Sequence, residues 1–452
     1  MIQASQALAA VVGEAHLRPG PPLTVAPATT DEVVAVLAIC RQRGLSVVPE
    51  GGQTGIVGGT LAGADQVVIS LRRMAAVVAI YPDERVITVQ AGVTLETVET
   101  VTLAHGLEPG IDLASRGSAT IGGMVSTNAG GIMAYRYGVM RHRVLGLEAV
   151  LPDGTVYSDM TRVVKNTAGY DMKNLFIGAE GTLGVVTRVV LKLEPVPQAT
   201  ATLLLGLPSV PAALTTIRLA MQAEHGHLRA AEGLWQSYLQ LTAAALGWNE
   251  PSFPLDKPVN LLVMLGGAQE SDLHTDAEGL FVQVAETFPT TTGIIATSAR
   301  QAAALWRLRE DTDILYRRHP AAPSFDVSVP QSEIAGYLAQ VLPGLSALDG
   351  GISPYVFGHL ADGNLHIVLD RSGPLPADLT AAVEAVLYPP LAAMGGSFSA
   401  EHGVGSKRVS ALQATASPAK LRLMRVVKQA LDPDNLMNPG KVLPLTQNEA
   451  TP

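Results

Sequence analysis

Two histidines near residue 360 have a spacing that suits a metal ion. The stretch YVFGHLADGNLHIVL carries Asp362-Gly363 between two apolar runs, and this pair favours a two-residue turn in a β-hairpin. Such a hairpin places His359 directly opposite His366 on one face, with Cβ atoms about 4.5–5.5 Å apart. At that separation two imidazoles can bind one metal ion. The alternative is that both histidines only fill the core.

A carboxylate beside a third histidine could complete a catalytic set. The stretch FSAEHGVGSKR contains Glu401, a hard oxygen ligand, followed by His402. Two imidazoles and one carboxylate leave open positions on a metal for substrate, as in catalytic metal sites. An imidazole titrates close to neutral pH, so His402 also suits a general base. The alternative role for Glu401 is a local cap or salt bridge.

Three glycine-rich stretches predict a dinucleotide site. They are VVPEGGQTGIVGG, GSATIGGMVSTNAGG and KNTAGYDMKNLFIGAEGTLG. Glycine lets the backbone approach a ligand closely and point several N–H groups at one anion, as a pyrophosphate requires. The first stretch has neither a Walker A lysine nor a GxGxxG that opens a helix. One such loop would equally suit a flexible surface segment, whereas the three together favour a dinucleotide.

The composition is typical of a large globular protein, most consistent with an enzyme. Its charge argues against nucleic-acid or membrane partners. The 452 residues allow two to three domains, and 47% hydrophobic with 16% charged residues is typical of globular proteins. The single cysteine, Cys40, excludes a disulfide framework and any multi-cysteine metal site. A net charge of −9 argues against nucleic acid or an anionic membrane. With no signal peptide and no apolar run of about 20 residues, we expect a cytoplasmic protein without a transmembrane segment.

The elements that position these groups form two kinds of region. Up to the prolines at 195 and 197, short apolar strands alternate with glycine loops, and residues 31–43 have helical periodicity. Beyond them, TATLLLGL and VNLLVMLGG predict strands of a single sheet. We expect that sheet to carry its helices on one face, near 209–225, 273–287 and 300–318. A last helix is predicted at about 418–431.

Together, the glycine stretches resemble the PCMH-type FAD-binding domain of the vanillyl-alcohol oxidase superfamily. More narrowly, the chain resembles the FAD-linked D-2-hydroxyacid dehydrogenases, a group that includes D-lactate, glycolate and D-2-hydroxyglutarate dehydrogenases. The resemblance implies an α+β fold with an FAD-binding domain at 1–196 and an antiparallel-sheet cap, or substrate, domain with the metal site at 197–405. A C-terminal helical segment at 406–452 would return to the flavin. The implied electron acceptor is a quinone, an electron-transfer flavoprotein or a cytochrome.

The resemblance also assigns roles to individual residues. The implied FAD contacts are Pro49, Gly51, Gly52, Gln53, Thr54, Gly55, Gly58, Gly59, Ser118, Thr120, Gly122, Gly123, Asn128, Gly130, Glu180, Gly181 and Asn438. A divalent metal, zinc or manganese, would be held by His359, His366 and Glu401, and the implied base is His402. The implied substrate contacts are Arg309, for the carboxylate, and Asn364. The first two glycine stretches contain no histidine and Cys40 lies on a predicted helix, so we predict non-covalent FAD.

Two positions depart from the pattern of the D-2-hydroxyglutarate members. Those proteins carry a lysine where this chain has Ser324, and a hydroxyl residue where it has Asp313. Both changes remove support for a second carboxylate on the substrate. We therefore expect a monocarboxylic or otherwise decorated D-2-hydroxyacid. If the substrate is a dicarboxylate after all, Arg307 is the first candidate for the second cation.

The sequence leaves other functions open. One is an oxygen-using alcohol or sugar oxidase of the same superfamily, which would work without a metal. A second is the catalytic flavin subunit of a glycolate-oxidase-type complex, and a third is a scaffold with a vestigial FAD site. The intact set of His359, His366, Glu401 and His402 argues against the first and the third. A homodimer is also left open.

Overall fold

The chain folds into two compact units. The structure is a computed structural model and describes residues 2–319, 322–348, 352–371 and 375–445. The first unit comprises Met1–Gly131, Tyr137–Val196 and Glu401–Pro452. The second comprises Ile132–Arg136 and Pro197–Ala400. Each unit has its own sheets and core.

The first unit contains two small sheets and a short ribbon. The first sheet is mainly parallel, with strand order Leu17–Arg18, Leu23–Val25, Val67–Ser70, Val47–Glu50. The second is antiparallel, with strand order Val77–Tyr81, Val86–Gln90, Val185–Lys192, Val144–Val150, Val156–Asp159. The ribbon pairs Leu107–Glu108 with Glu194–Pro195. These sheets, with the helices of the same unit, agree with the α+β fold that the resemblance implied.

Helices cover both sheets of the first unit. They are Ile2–Val12, Thr30–Gln42, Leu95–Leu103, Ile121–Thr127, Met140–Arg143, Val409–Thr415 and Pro418–Leu431. The single turn Ala134–Tyr137 begins in the second unit and ends in the first. The predicted helix at 31–43 is confirmed as Thr30–Gln42. It begins there because the Thr29 side chain accepts a hydrogen bond from the Glu32 amide at 3.1 Å. Its buried residues Val33 and Leu37 pack against the first sheet.

The C-terminal segment returns to the first sheet. Met437 forms a parallel bridge with Val47. The Val47 amide donates to Leu436 O at 2.8 Å, and the Asn438 amide donates to Val47 O at 2.8 Å. Both Leu436 and Met437 belong to the core under that sheet. The segment after the last helix is therefore an integral part of this unit.

The second unit is built on one seven-stranded antiparallel sheet. Its strand order is Thr292–Ile295, Ala199–Leu207, Val259–Gly267, Gly226–Trp235, Pro354–His359, Asn364–Leu369, Ser324–Ser328. Its helices are Val210–Ala220, Gln236–Leu246, Glu270–Thr287, Ala299–Glu310, Asp313–Arg318, Ile334–Leu348 and Ala377–Met394. The helix predicted at 300–318 is two helices, because Asp311 leaves the helical conformation at φ −79°, ψ 59°.

The prediction that the helices lie on one face of this sheet is wrong. Leu204 packs with residues of Gln236–Leu246 and Ala299–Glu310 in one core cluster. The next residue, Leu205, points the other way because side chains alternate along a strand. On that other side, Gly293 lies against Phe281 of helix Glu270–Thr287. Buried apolar residues on both sides of the strands require helices on both faces.

Across the residues that the structure describes, no helix combines the length and the apolar character needed to cross a bilayer. The cytoplasmic location stays a prediction.

Candidate functional site

The hairpin that carries the two histidines has a different register from the predicted one. His359 pairs with Asn364, and His366 pairs with Phe357. The turn has four residues, because the carbonyl of His359 accepts hydrogen bonds from the amides of Asp362 at 3.3 Å and Gly363 at 3.0 Å. The prediction that the two histidines stand directly opposite one another is therefore wrong.

The histidines are nevertheless neighbours on one face of the sheet. Diagonal positions on paired strands share a face, and the two ring centroids lie 5.4 Å apart with their planes at 84°. The turn between them depends on Gly363, at φ 81°, where a Cβ would overlap the carbonyl oxygen of Val329. The four-residue turn thus brings His359 and His366 together by a diagonal contact.

Each histidine contacts a fully buried carboxylate through Nδ1. His359 Nδ1 lies 2.7 Å from Glu232 Oε1, and His366 Nδ1 lies 3.4 Å from Asp326 Oδ1. The pairs are set by the sheet, since Glu232 is opposite His359 and Asp326 is opposite His366. A carboxylate at Nδ1 orients the ring and makes Nε2 the nitrogen suited to a ligand, as metal-binding histidines require.

Glu232 links His359 to Arg309. Its second carboxylate oxygen, Oε2, lies 2.7 Å from Arg309 Nε. Burial on its own would raise the pKa of Glu232, but the positive charges of His359 and Arg309 outweigh burial and hold that pKa below its usual value. The carboxylate is thus held ionised between the His359 imidazole and the Arg309 guanidinium.

The Arg309 guanidinium is buried, but its terminal nitrogens can still bind another partner. It lies over the Phe357 ring, with Cζ 4.9 Å from the ring centroid. The terminal nitrogens Nη1 and Nη2 form no hydrogen bond with a residue that the structure describes. Arg307 is different, because its side chain is 65% exposed and reaches Asp311 at 3.8 Å. Of the two arginines, Arg309 has the geometry of a carboxylate receptor.

Asn364 supports Asp326 from beside the turn. Its Nδ2 donates to Asp326 Oδ1 at 2.7 Å and to Val327 O at 3.1 Å. Asp326 Oδ2 accepts from the Ala400 amide at 3.1 Å. The Oδ1 atom of Asn364 is buried and accepts no hydrogen bond from any described residue. The predicted substrate contact of Asn364 stays a prediction.

Sequence reasoning missed the roles of Glu232 and Asp326. Each is a single carboxylate inside an apolar strand, in GHLRAAEGLW and SFDVS. A buried carboxylate is costly unless it is paired, so an isolated acidic residue in such a strand is itself a signal. That signal could have identified both positions, but the partners depend on strand pairing.

The glycine stretches of the first unit surround a cavity of about 320 Å³. Of the predicted FAD contacts, those that line it are Pro49, Gly51, Gly52, Gln53, Thr54, Gly55, Gly59, Thr120, Gly122, Gly123, Gly130, Glu180 and Gly181. Four predicted contacts, Gly58, Ser118, Asn128 and Asn438, are not among the lining residues. Lining residues that were not predicted include Ser115 and Thr127, and Glu401 and His402 also face the cavity.

The first glycine loop is rich in unused donors. None of the backbone amides of residues 52–60 donates a hydrogen bond to a residue that the structure describes. Gly52 and residues 57–60 are buried or half-buried, and amides in such places normally find a partner, so these donors beside a cavity fit a phosphate group. A Cβ at residue 52 would overlap the carbonyl oxygen of Ser118. The first and second glycine stretches can therefore come this close only because residue 52 is glycine. The residues present therefore fit the pyrophosphate of FAD.

Two of the residues outside the lining shape the loops instead of facing the cavity. Asn128 ends helix Ile121–Thr127 in the left-handed conformation, and its Oδ1 accepts from the Arg141 amide at 2.9 Å. Asn438 Nδ2 donates to the carbonyls of Gly59 at 3.0 Å and Glu180 at 2.8 Å. Direct contacts of these residues with flavin stay predictions.

Glu180 fixes the turn that follows Glu401 and His402. Its carboxylate accepts from the amides of Val404 at 2.7 Å and Gly405 at 2.8 Å. Burial raises the pKa of Glu180, and these two hydrogen bonds oppose that rise. Glu401 itself accepts a hydrogen bond from the Gly131 amide at 2.6 Å through Oε1. This hydrogen bond joins residues 270 positions apart, so it is neither the local cap nor the salt bridge that the sequence left open for Glu401.

Comparisons with known proteins agree with this arrangement. The family described as FAD linked oxidases, C-terminal domain, matches residues 196–442, and the family described as FAD binding domain matches residues 21–159. The mitochondrial D-2-hydroxyglutarate dehydrogenase of Bos taurus is 37% identical, over 92% of this chain and 76% of that protein. A D-2-hydroxyglutarate dehydrogenase of Xanthomonas citri pv. viticola is 38% identical, over 93% of this chain and 89% of that protein.

Solved structures share the fold at low sequence identity. One is p-cresol methylhydroxylase with substrate bound, at a TM-score of 0.76 and 17% identity, covering 98% of this chain and 97% of that one. Another is 4-ethylphenol oxidase from Gulosibacter chungangensis in complex with isoeugenol, also at 0.76 and 17%, covering 99% and 98%. At this identity the likeness concerns the fold alone.

Proposed function

Because the chain belongs to the FAD-linked oxidase family, we propose that it is a metal-assisted dehydrogenase that passes electrons from a D-2-hydroxyacid to an acceptor other than oxygen. The enzyme is an FAD-linked 2-hydroxyacid dehydrogenase, an oxidoreductase that acts on a CH–OH donor. We propose three further features of this enzyme: the bound metal, the electron acceptor and the particular hydroxyacid that it oxidises.

One observation carries the metal proposal: two neighbouring imidazoles each contact a buried carboxylate through Nδ1. Histidines that only fill a core do not need two buried acids behind them, and burying those acids is costly. In metal sites the same arrangement sets the tautomer and makes the ligating nitrogen more basic. The sequence pattern adds Glu401 as the third ligand.

Each group of the mechanism has a proposed place in the chain. FAD would be held by the loop amides of residues 52–60 and, when bound, supplies a hydride acceptor at N5. A divalent ion on His359, His366 and Glu401, when bound, would lower the pKa of the substrate hydroxyl. Arg309 binds the substrate carboxylate with Nη1 and Nη2, while Glu232 holds its Nε. His402 takes the hydroxyl proton, an assignment that rests on the sequence pattern.

We predict that the purified protein is yellow and that acid or heat denaturation releases free FAD. The cavity is lined by glycine, small and hydroxyl residues and by a single histidine, His402, which the proposal uses as the base. Centrifugation after denaturation, followed by an absorbance spectrum of the supernatant, checks this. Flavin that stays with the precipitated polypeptide would contradict non-covalent binding.

A dye-reduction screen tests the proposed function. The purified enzyme is mixed with D- and L-2-hydroxyacids and an artificial electron acceptor, before and after treatment with EDTA. We expect turnover with at least one D-enantiomer, loss of turnover after EDTA, and recovery with Zn²⁺ or Mn²⁺. Turnover that persists without metal and consumes oxygen would favour the oxidase alternative. No turnover with any hydroxyacid would refute the proposal.

The choice of hydroxyacid is tested at Ser324. This residue lies on the same strand face as Asp326, two positions away, so a side chain at 324 points to the side that carries His366. We expect Ser324→Lys to raise kcat/KM for D-2-hydroxyglutarate or D-malate relative to D-lactate, because a cation there can pair with a second carboxylate. The gain should shrink with salt. Ser324→Met, similar in length but uncharged, is the control.

A wild-type enzyme that already prefers a dicarboxylate would contradict this interpretation of Ser324. Similar proteins are named D-2-hydroxyglutarate dehydrogenases, and D-2-hydroxyglutarate is a dicarboxylate, so the measurement can give this result. Arg307, the candidate for a second cation named from the sequence, would then be replaced by alanine. A selective loss of dicarboxylate turnover would assign that role to Arg307.

A further inference from the structure

The helix Pro418–Leu431 of the first unit presents a cationic face with an apolar centre. Its sequence, PAKLRLMRVVKQAL, contains four basic residues and no acidic one, in a chain whose net charge is −9. No residue of the helix is buried. Leu423 and Val426 are 59% and 57% exposed, and a spacing of three places them on one side of the helix. A helix face of this kind fits an anionic partner.

Three of the four cations have no partner among the residues that the structure describes. The exposed side chains of Lys420, Arg422 and Arg425 form no ion pair and no hydrogen bond with any residue that the structure describes. The fourth, Lys428, turns inward, where Nζ donates to Thr182 O at 2.9 Å and Met437 O at 2.8 Å and pairs with Asp432. The helix is thus anchored by one lysine and leaves three charges outside.

The anchored side of the helix is hydrogen-bonded to segments that adjoin the flavin cavity. Thr182, which accepts from Lys428, directly follows the lining residues Glu180 and Gly181. Met437, the other acceptor, precedes Asn438, whose Nδ2 donates to the carbonyls of Gly59 and Glu180. A molecule docked on the exposed side of the helix therefore stands beside the unit that would hold the flavin.

We propose that this helix face docks the protein that accepts electrons from the enzyme, and that this partner is a redox protein with an acidic surface. The inference rests on the proposed function, because it names the partner of that reaction. Cations around a small apolar centre steer a partner of opposite charge and set the rate of encounter. A lipid surface fits less well, since the exposed apolar stripe has only two large side chains and the helix has no aromatic residue.

The electrons balance with a one-electron carrier. Oxidation of one 2-hydroxyacid to the 2-oxoacid releases two electrons and two protons. Two molecules of an oxidised haem protein take one electron each, and both protons go to solvent. The test therefore follows reduction of haem, with two carriers consumed for each substrate molecule.

The probes are two haem proteins of opposite charge, the soluble domain of the acidic cytochrome b5 and the basic cytochrome c. We expect the wild-type enzyme to reduce cytochrome b5 at a rate that falls with ionic strength. The variant Lys420→Glu/Arg422→Glu/Arg425→Glu should be about tenfold slower or more with cytochrome b5. It should be faster than wild type with cytochrome c. Turnover with a small dye should stay unchanged.

A matched control separates the helix face from overall charge. Arg72→Glu/Arg218→Glu/Arg300→Glu changes the net charge by the same amount at three exposed arginines outside the helix. We expect this control to reduce cytochrome b5 as wild type does. Leu423→Ser/Val426→Ser tests the apolar centre and should slow cytochrome b5 several-fold. Melting temperatures confirm that each variant is folded.

Several results would overturn the proposal. One is wild-type enzyme that reduces the dye but not cytochrome b5, and another is an equal loss in the helix variant and its control. Sedimentation of wild type, but not the variant, with phosphatidylserine-containing vesicles would assign the face to a membrane. A change in oligomeric state would assign it to a second copy of the chain. Failure of dye turnover with every hydroxyacid would instead refute the proposed function.

Discussion

Replacing His359 or His366 with alanine should lower kcat by about 100-fold or more and remove the bound metal, while the FAD content stays unchanged. Each ring is one of two neighbouring imidazoles, so either loss leaves the ion with too few ligands. Changes to the outer carboxylates alone typically cost about 10- to 100-fold in metal affinity or activity, and loss of a ligand should cost more. Metal analysis, flavin absorbance and dye reduction on the same samples check the three parts.

Matched variants make this prediction specific. His274→Ala is the control, because His274 belongs to helix Glu270–Thr287 on the other face of the sheet and should keep full activity. Glu232→Gln and Asp326→Asn should weaken metal binding by about 10- to 100-fold without abolishing it. If the histidine variants keep activity, or lose flavin as readily as metal, the hairpin is only structural.

Replacing Arg309 with alanine should lower kcat/KM by about 100-fold or more. A hydrogen bond to a charged group is worth about 1.5–3 kcal/mol, which corresponds to roughly 10- to 100-fold, and poor placement of the substrate adds to it. Arg309→Lys should recover only part of the loss, because an ammonium cannot form the planar two-point contact of a guanidinium. Steady-state kinetics with the best hydroxyacid and a dye measure both variants.

The ion pair with Glu232 requires its own control. Arg309→Ala also leaves Glu232 buried next to one cation fewer, and breaking a buried pair destabilises a protein by about 3–5 kcal/mol. In Arg309→Ala/Glu232→Gln the carboxylate charge is removed, so the melting temperature should recover while kcat/KM stays low. Arg307→Ala, two residues away and exposed, should behave as wild type toward a monocarboxylate. Recovery of kcat/KM in the double variant would mean that Arg309 acts only through Glu232.

The first unit, with its glycine loops, was the part of the structure that the sequence predicted best. Its loops are local features: glycine, hydroxyl residues and prolines determine where the backbone can turn, and these residue types are visible without knowing any partner. Most of the predicted contacts accordingly line the cavity. Two of the four exceptions, Asn128 and Asn438, are polar residues whose direction depends on other segments, through Arg141 and Glu180 respectively.

The turn length of the hairpin could not be predicted from short-range sequence patterns. Asp362 and Gly363 do lie in the turn, but the carbonyl of His359 closes a longer loop that also takes in Leu360 and Ala361. Turn length is decided by how both strands pair with their other neighbours, Gly226–Trp235 and Ser324–Ser328. The sequence of the hairpin itself carries little information about how its strands pair with those neighbours.

The sequence by itself determined that this chain would be an α+β flavoprotein, that its glycine loops would surround one cavity, and that two histidines would share a face. The α+β flavoprotein fold was what the resemblance to a known family implied, whereas the loops and the shared face follow from residue type and short spacing, because backbone freedom and strand alternation are local properties. Only the tertiary structure decided which carboxylates stand behind those histidines and which arginine is buried. Glu232, Asp326 and Arg309 come from three separate elements, and charges buried without partners are too costly to persist. The pairing of those groups is therefore a property of the assembled sheet and of the helix packed on it.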